Sequence, residues 1–297
     1  MTEATAQPPR SVVLVLNAKA GRADGLADDV AARLEVKGVD MVASCDALAH
    51  DWPATLATRP ADAIVVAGGD GTVNAALPDL VAANLPFGVL PLGTANDFAR
   101  TLGIPDDLDA AIDIVAEGHL RAVDLARAND HYFLNAANIG LATEVTERLQ
   151  RASLKRRAGR FSYAVASAQM LSRARPFRAW LKTADGEISV RTLQITVGNG
   201  RFYGGGAIIE DSATIDDGRL DLYSLELGSA WPLLALAPWL WRGRHGRFDG
   251  VRTLHGDAFA IRTRRPRTVT LDGEPLTRTP LLCQVLPKAL QVFAPRA

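Results

Sequence analysis

The segment Gly68-Gly69-Asp70-Gly71-Thr72 lies between an apolar run, Ala63–Ala67, and the helix-like start Val73-Asn74-Ala75-Ala76-Leu77. Glycines let a backbone turn through conformations closed to other residues and bring its N–H groups close to a ligand. A helix N-terminus just beyond adds unpaired N–H donors and the positive end of a dipole. Together these residues can grip phosphate. Asp70 fits that grip poorly on its own, because a carboxylate repels phosphate. A divalent cation between the two removes the conflict, so the segment implies a nucleotide bound together with a metal ion.

Three more segments carry chemistry. Pro91-Leu92-Gly93-Thr94-Ala95-Asn96-Asp97 closes the next apolar run, Phe87–Leu90, and offers backbone and hydroxyl donors, an amide and a carboxylate. Asn and Asp are also preferred helix N-caps, and both readings can hold together. Leu271-Asp272-Gly273-Glu274-Pro275 reads as a hairpin turn that projects carboxylates. Asp216-Asp217-Gly218-Arg219-Leu220 reads as a turn before a strand. The five histidines show no zinc spacing.

These motifs need elements to position them. Val12–Leu16 is a continuous apolar run, as expected of a strand buried on both faces of a parallel sheet, and it ends at Asn17-Ala18-Lys19-Ala20-Gly21. Helical spacing over Leu26–Leu34, a strand at Val39–Ser44, a short helix ending at Ala54–Thr58, and helices at Leu77–Ala83, Phe98–Leu102 and Leu108–Glu117 complete an alternating pattern. That pattern implies an α/β domain with a mostly parallel sheet, whose ligands bind at the carboxyl ends of strands. Past residue 121 the texture changes. Short strand-like pieces follow at Arg121–Ala126, His131–Ile139, Arg178–Thr183, Ile188–Gly198, Leu220–Leu225, Ala258–Arg262, Thr268–Leu271 and Gln291–Phe293. One helix, Ser162–Arg173, interrupts them. Such spacing implies a second domain of antiparallel β architecture.

Composition narrows the class. The chain has 297 residues, 48% of them hydrophobic, enough for two domains. Its 33 basic and 33 acidic side chains balance, which argues against a nucleic-acid binder. Cys45 and Cys283 lie far apart, so reduced thiols in a cytoplasmic protein are expected. Residues 1–10 read as a disordered tail. The apolar stretch Trp231–Trp241 holds two prolines and is too short to span a bilayer. Arg148–Arg160 is strongly basic, and Trp239, Leu240 and Trp241 precede Arg242 and Arg244. Either segment could meet anionic lipid headgroups, although a solvated helix face or loop for the first and a helix packed on the sandwich for the second are the favoured readings.

Gly68–Thr72 followed by Gly93-Thr94-Ala95-Asn96-Asp97-Phe98-Ala99-Arg100 resembles the diacylglycerol kinase catalytic-domain family. Asn138-Ile139-Gly140, Gly198-Asn199-Gly200, Asp216-Asp217-Gly218, Leu271–Pro275 and Val285-Leu286-Pro287 fall in that family's order, so the resemblance covers nearly the whole chain. It implies an α/β nucleotide-binding domain over 11–125, a β-sandwich lipid-substrate domain over 126–290, and a segment 291–297 returning to the first domain. It also implies an active site between the two domains.

By the same resemblance the chain is an ATP-dependent lipid kinase. Asn17, Gly21, Gly68, Gly69, Asp70, Gly71, Thr72, Asn74, Gly93, Thr94 and Asn96 would line the nucleotide. Asp70, Asp97 and Asp124 would form the network around catalytic Mg2+, and Glu274, with Asp272 beside it, would act as general base. Asp217, with backbone carbonyls of Thr214 and Arg219, would hold a second, structural Mg2+ or Ca2+. Ala18 stands where the family usually has proline, and no threonine aligns at Ser44-Cys45-Asp46-Ala47, where the nucleoside would lie. The expected partners are a lipid substrate, with diacylglycerol the first candidate, and a membrane surface touched transiently. A homodimer is left open. Two rivals remain at this point: an NAD kinase-like enzyme with a soluble acceptor, and a non-catalytic nucleotide- or lipid-binding regulator.

Overall fold

The computed structural model describes residues 8–17, 25–49, 52–144, 174–200, 202–203, 207–208, 214–228 and 250–296. Gly21, the basic run Arg148–Arg160, the expected helix Ser162–Arg173 and the tryptophan segment with Arg242 and Arg244 lie outside the described residues. The chain forms two units, Met1–Leu125 with Pro287–Ala297, and Ala126–Leu286.

The first unit alternates strand and helix: β1 (Ser11–Leu16), α1 (Leu26–Val36), β2 (Asp40–Asp46), α2 (Trp52–Thr58), β3 (Ala63–Gly68), α3 (Asp70–Ala83), β4 (Phe87–Pro91), α4 (Asp97–Leu102) and α5 (Leu108–Glu117), with β5 (Leu120–Ala128) leading out. Its sheet runs β2-β1-β3-β4, each pair parallel. Val12–Val15 and Ile64–Val66 are wholly buried without alternation, the signature of strands covered on both faces. Phe98 of α4 stacks on Phe87 of β4, ring centroids 6.2 Å apart, and so seats that short helix on the sheet.

The last strand, β18 (Leu281–Phe293), is 13 residues long, and only its end returns to this unit. There Val292 pairs in parallel with Phe87, and Ala294 N–H donates to the His119 carbonyl at 3.0 Å. The return begins at Pro287, earlier than residue 291.

The second unit holds β6 (His131–Phe133), β7 (Ala136–Gly140), β8 (Phe177–Thr183), β9 (Gly186–Thr192), β10 (Gln194–Gly198), β11 (Phe202–Tyr203), β12 (Ala207–Ile208), β13 (Leu220–Leu225), β14 (Val251–Gly256), β15 (Ala258–Thr263), β16 (Thr268–Leu271), β17 (Glu274–Arg278) and the first part of β18. One antiparallel sheet is ordered β14-β13-β10-β7-β16-β17, and the other runs β18-β15-β8-β9. They close on one core: Ile139, Ile195, Leu222 and Val269 from the first meet Phe177, Leu181, Phe259, Ile261 and Cys283 from the second. This is a β-sandwich.

The opposite face of the six-stranded sheet is buried and polar. Thr196 and Thr270 lie in register on either side of Asn138. The Asn138 Oδ1 accepts from Gln194 Nε2 at 3.0 Å and Thr196 Oγ1 at 2.7 Å, which satisfies groups that would be costly to bury unpaired.

The segments expected as single strands, His131–Ile139 and Ile188–Gly198, are each two strands, broken at Leu134-Asn135 and at Leu193. Helix α3 begins at Asp70, so the acidic residue belongs to a helical first turn. Among the described residues no helix is long and apolar enough to cross a membrane.

Both cysteines are free thiols. Cys283 is wholly buried between the sandwich sheets, and burial alone pushes its thiol up to about 12. The thiolate is the reactive form, so Cys283 is inert in the folded chain. A maleimide titration is expected to label Cys45 in the native protein and both cysteines only after unfolding. Native labelling of Cys283 at the rate of Cys45 would contradict the packing.

Candidate active site

In the first unit the two glycine segments pack backbone against backbone. A Cβ added at Gly93 would stand 2.5 Å from the Gly69 Cα, and one added at Gly69 would stand 2.9 Å from the Gly93 Cα. No other residue type fits either place without moving main chain. Leu92 N–H donates to the Gly68 carbonyl at 3.1 Å, which continues the β3–β4 ladder into the turns. Asn96, in the left-handed region at φ 50, folds back over Gly93. Its Oδ1 accepts from Gly93 N–H at 3.0 Å, and its Nδ2 donates to the Gly93 carbonyl at 3.1 Å and to Asp106 Oδ1 at 3.0 Å. The Asn96 side chain is therefore spent on shaping the turn.

Asp70 joins the two segments. Its Oδ2 accepts from Asp97 N–H and its Oδ1 from Phe98 N–H, each at 3.0 Å. One carboxylate thus caps α4 from a neighbouring helix, where negative charge is favoured. An ionised carboxylate has about four acceptor positions, so two remain. Asp97 is buried at 4% exposure beside it.

At the start of α3, Thr72 N–H turns back to the Gly69 carbonyl at 2.9 Å. Its N-cap, Gly69, makes no side-chain capping bond. Gly71, in the first turn, is exposed with ordinary backbone angles, and a Cβ there would meet nothing within 4 Å. Nothing among the described residues requires glycine at that position, although glycine weakens a helix by about 0.5–1 kcal/mol relative to alanine. A ligand brought against the backbone does require it. Thr72 is buried, Asn74 is half-buried and Thr94 is exposed. Asn17 follows the end of β1 and is half-buried.

Among the described residues no three His, Cys, Asp or Glu side chains cluster closely enough to hold a metal by themselves. A magnesium ion needs no such cage: it is held by one or two carboxylates together with substrate phosphates and water. Asp70 and Asp97 beside the α3 amides fit that arrangement. Asp124 of β5 is buried at 1% exposure, and its Oδ1 accepts from Lys288 N–H at 2.7 Å, which ties β5 to the returning end of β18.

In the second unit Asp272 sits at φ 46 in the turn between β16 and β17. Its Oδ2 accepts from Leu134 N–H at 2.7 Å, and its Oδ1 accepts from Asn135 N–H at 2.9 Å and Ala136 N–H at 2.8 Å. Three amides hold this carboxylate, and Asp272 N–H returns a bond to the Ala136 carbonyl at 2.9 Å. Its geometry is that of a residue fixing a turn. Glu274, two residues on, is exposed.

Asp217 is engaged by its own turn. Its Oδ1 accepts from Arg219 N–H at 3.2 Å, and its Oδ2 stands 3.2 Å from Arg219 Nε. Thr214 N–H donates to Asp217 Oδ2 at 3.5 Å. The Arg219 guanidinium also stands 3.7 Å from Asp221, whose Oδ1 meets His255 Nδ1 at 2.5 Å. Burial raises the Asp221 carboxyl above its usual range, and His255 opposes that shift. The Arg219 guanidinium thus pairs with the carboxylate that the resemblance assigns to a second cation.

Two substitutions test the geometry. Gly71→Ala is expected to leave folding unchanged or raise it by up to about 1 kcal/mol, as read by urea unfolding. Affinity for a nucleotide triphosphate is expected to fall about tenfold, the worth of one displaced phosphate–amide contact. Unaltered affinity would remove Gly71 from the site. Asp272→Asn replaces one of the acceptor oxygens with a donor facing buried amides and is expected to cost about 3 kcal/mol of stability.

The sequence falls within two family models. Residues 11–128 match the diacylglycerol kinase catalytic domain, and residues 135–294 match the YegS C-terminal NAD kinase beta sandwich-like domain. A diacylglycerol kinase of Mycobacterium tuberculosis (strain CDC 1551 / Oshkosh) is 36% identical over 292 residues, covering 93% of this chain and 92% of that protein. A Pectobacterium atrosepticum protein named "Probable lipid kinase YegS-like" is 37% identical over 240 residues, covering 79% of each. A crystal structure of a diacylglycerol kinase from Bacillus anthracis superimposes with a TM-score of 0.75 at 22% identity, covering 97% of this chain and 98% of that one, and supports the fold. A glycine-lined helix start braced by Asp70, and a sandwich carrying a pinned Asp-Gly-Glu turn, are thus found in a chain that belongs to the diacylglycerol/lipid kinase family.

Proposed function

We propose that the chain is an ATP- and magnesium-dependent kinase of a lipid hydroxyl, with diacylglycerol as first acceptor and phosphatidic acid as product. The observation that carries the reading is the Asp70 carboxylate, bonded to the Asp97 and Phe98 amides at the glycine-lined start of α3. That combination suits a nucleotide's phosphates and their metal, and the acceptor class is suggested by the kinase relatives.

In this reading the amides of Gly69–Gly71 and Thr94, with Asn17 and Asn74, bind and align the phosphates of the donor, while Thr72 N–H and Gly93 N–H hold the two turns in shape. Bound magnesium supplies neutralisation of the charge on the transferring phosphoryl group. Asp70 and Asp97 would hold it, partly through water, and Asp124 is the third carboxylate of the set. Phosphoryl transfer needs mainly positioning and charge compensation, which suits a site built from main-chain donors and short acids.

Glu274 takes the proton from the acceptor hydroxyl as the hydroxyl oxygen bonds to the γ-phosphorus and the bond from that phosphorus to the bridging oxygen breaks, releasing ADP; the base contributes about 10²–10⁴-fold. Asp272 acts through Glu274: by clamping the amides of Leu134, Asn135 and Ala136 it fixes the turn from which that carboxylate projects. The acceptor is reached by transient contact with a membrane surface.

The direct test is incubation of the protein with labelled ATP and a total lipid extract, followed by identification of the labelled product. Phosphatidic acid is expected. Label on NAD and on no lipid would overturn the reading. Glu274→Gln, at an exposed position, is expected to leave the melting temperature unchanged and to lower kcat by about 10²–10⁴-fold with little change in KM for ATP. Full activity in that variant would sink the base assignment.

A further inference from the structure

The second unit carries a cluster of arginines that the proposed chemistry does not use. Arg178 on β8 and Arg191 on β9 are directly opposite each other in the antiparallel pair. Like charges at that spacing repel and weaken a sheet. Arg264 and Arg265, in the connection from β15 to β16, line the same cavity of about 440 Å³ as that pair. Phe177 and Arg267 form its wall, the Arg267 guanidinium lying 4.0 Å from the Phe177 ring centroid.

The nearby acids are committed elsewhere. Glu187 accepts from Arg262, outside the cavity, at 2.9 and 3.0 Å. Glu144 stands 3.8 Å from Arg267. Among the described residues Arg178, Arg191, Arg264 and Arg265 have no acidic partner within ion-pair distance. Half-burial holds the Arg267 guanidinium below its ordinary value, with Glu144 opposing the shift. An anion in the cavity relieves both strains.

A concave site lined by one sign of charge concentrates counter-ions, and its volume lies in the usual range for small-molecule sites. Guanidinium forks match the oxygens of phosphate in bidentate fashion. We propose that this cavity is a phosphate site, in which Arg178, Arg191, Arg264 and Arg265 hold a phosphate ester against the Phe177–Arg267 wall. The ester is carried by a phospholipid headgroup or by a small phosphorylated molecule, and the chemistry at the arginines is the same for both. The site is independent of the kinase reading, because it is tested by binding rather than turnover.

The experiment uses the full chain and the double variant Arg191→Ala, Arg265→Ala. Each is titrated with glycerol 3-phosphate by calorimetry. Each is also sedimented with phosphatidylcholine vesicles, with and without phosphatidic acid. Loss of two charges is expected to weaken binding about 30-fold. The melting temperature is expected to hold or rise, since the Arg178–Arg191 repulsion is gone. Arg262→Ala, a neighbouring charge outside the cavity, is expected to bind at the wild-type level.

Weakening confined to the vesicles assigns the site to a lipid headgroup. Weakening toward glycerol 3-phosphate as well assigns it to a small phosphate ester. Equal binding by wild type and double variant on every probe, or no binding by the wild type, overturns the proposal.

Discussion

The first unit's candidate site depends on a single carboxylate. Asp70 receives the first two amides of α4, and in doing so it fixes the end of β3 against the end of β4. The Gly69–Gly93 approach is permitted by missing side chains, whereas the Asp70 bonds make it a specific distance. The same residue is therefore both brace and candidate ligand. A group whose remaining acceptor positions are aimed by its existing bonds loses little freedom when it binds a cation, and preorganisation of this kind is what a charge-neutralising site requires.

The second unit repeats the device with different parts. Asp272 gathers three amides from the β6–β7 connection and in doing so sets the hairpin that bears Glu274. In both units an aspartate bonded to main chain controls where a second acid projects. Removing either would disturb its neighbour as well as itself, so loss of activity alone would not separate a chemical role from a structural one. A stability measurement beside each activity measurement does separate them.

Much of this was legible in the residues, for stated reasons. The buried strands β1, β3 and β4 are unbroken apolar runs, and helices α1 and α5 have apolar faces at helical spacing. The phosphate and Asp-Gly-Glu turns are marked by glycines. What was not legible depends on partners distant in sequence. Strand β14 is half-exposed and β17 mostly exposed, and neither shows clean alternation. β18 hides behind Pro287 and Lys288, the latter at φ 52, so only its end at Gln291–Phe293 looked like a strand. The start of α3 at Asp70 was masked by Gly71, a poor helix former kept in a helical turn. The Asp217–Arg219 ion pair was likewise invisible, because the spacing of a turn does not say which way its arginine folds. The pairing of Arg178 with Arg191 could be seen only once the β8–β9 register was known, although Arg264-Arg265-Pro266-Arg267 is a plain basic run.

The path of β18 has a consequence for how the molecule is made. Its closing residues supply the strand beside β4, the N–H that meets Asp124 and the N–H that meets the His119 carbonyl. All three belong to the unit that leaves the ribosome first, yet they are synthesised after the whole sandwich. During vectorial synthesis the first unit therefore waits with one edge of its parallel sheet unfinished and Asp124 lacking the Lys288 amide. Its completion is coupled to the arrival of the far end of the chain, and long-range closure of this kind is slow. Until then the emerging half has reason to need shielding, and a chain released early yields a first unit without its last strand.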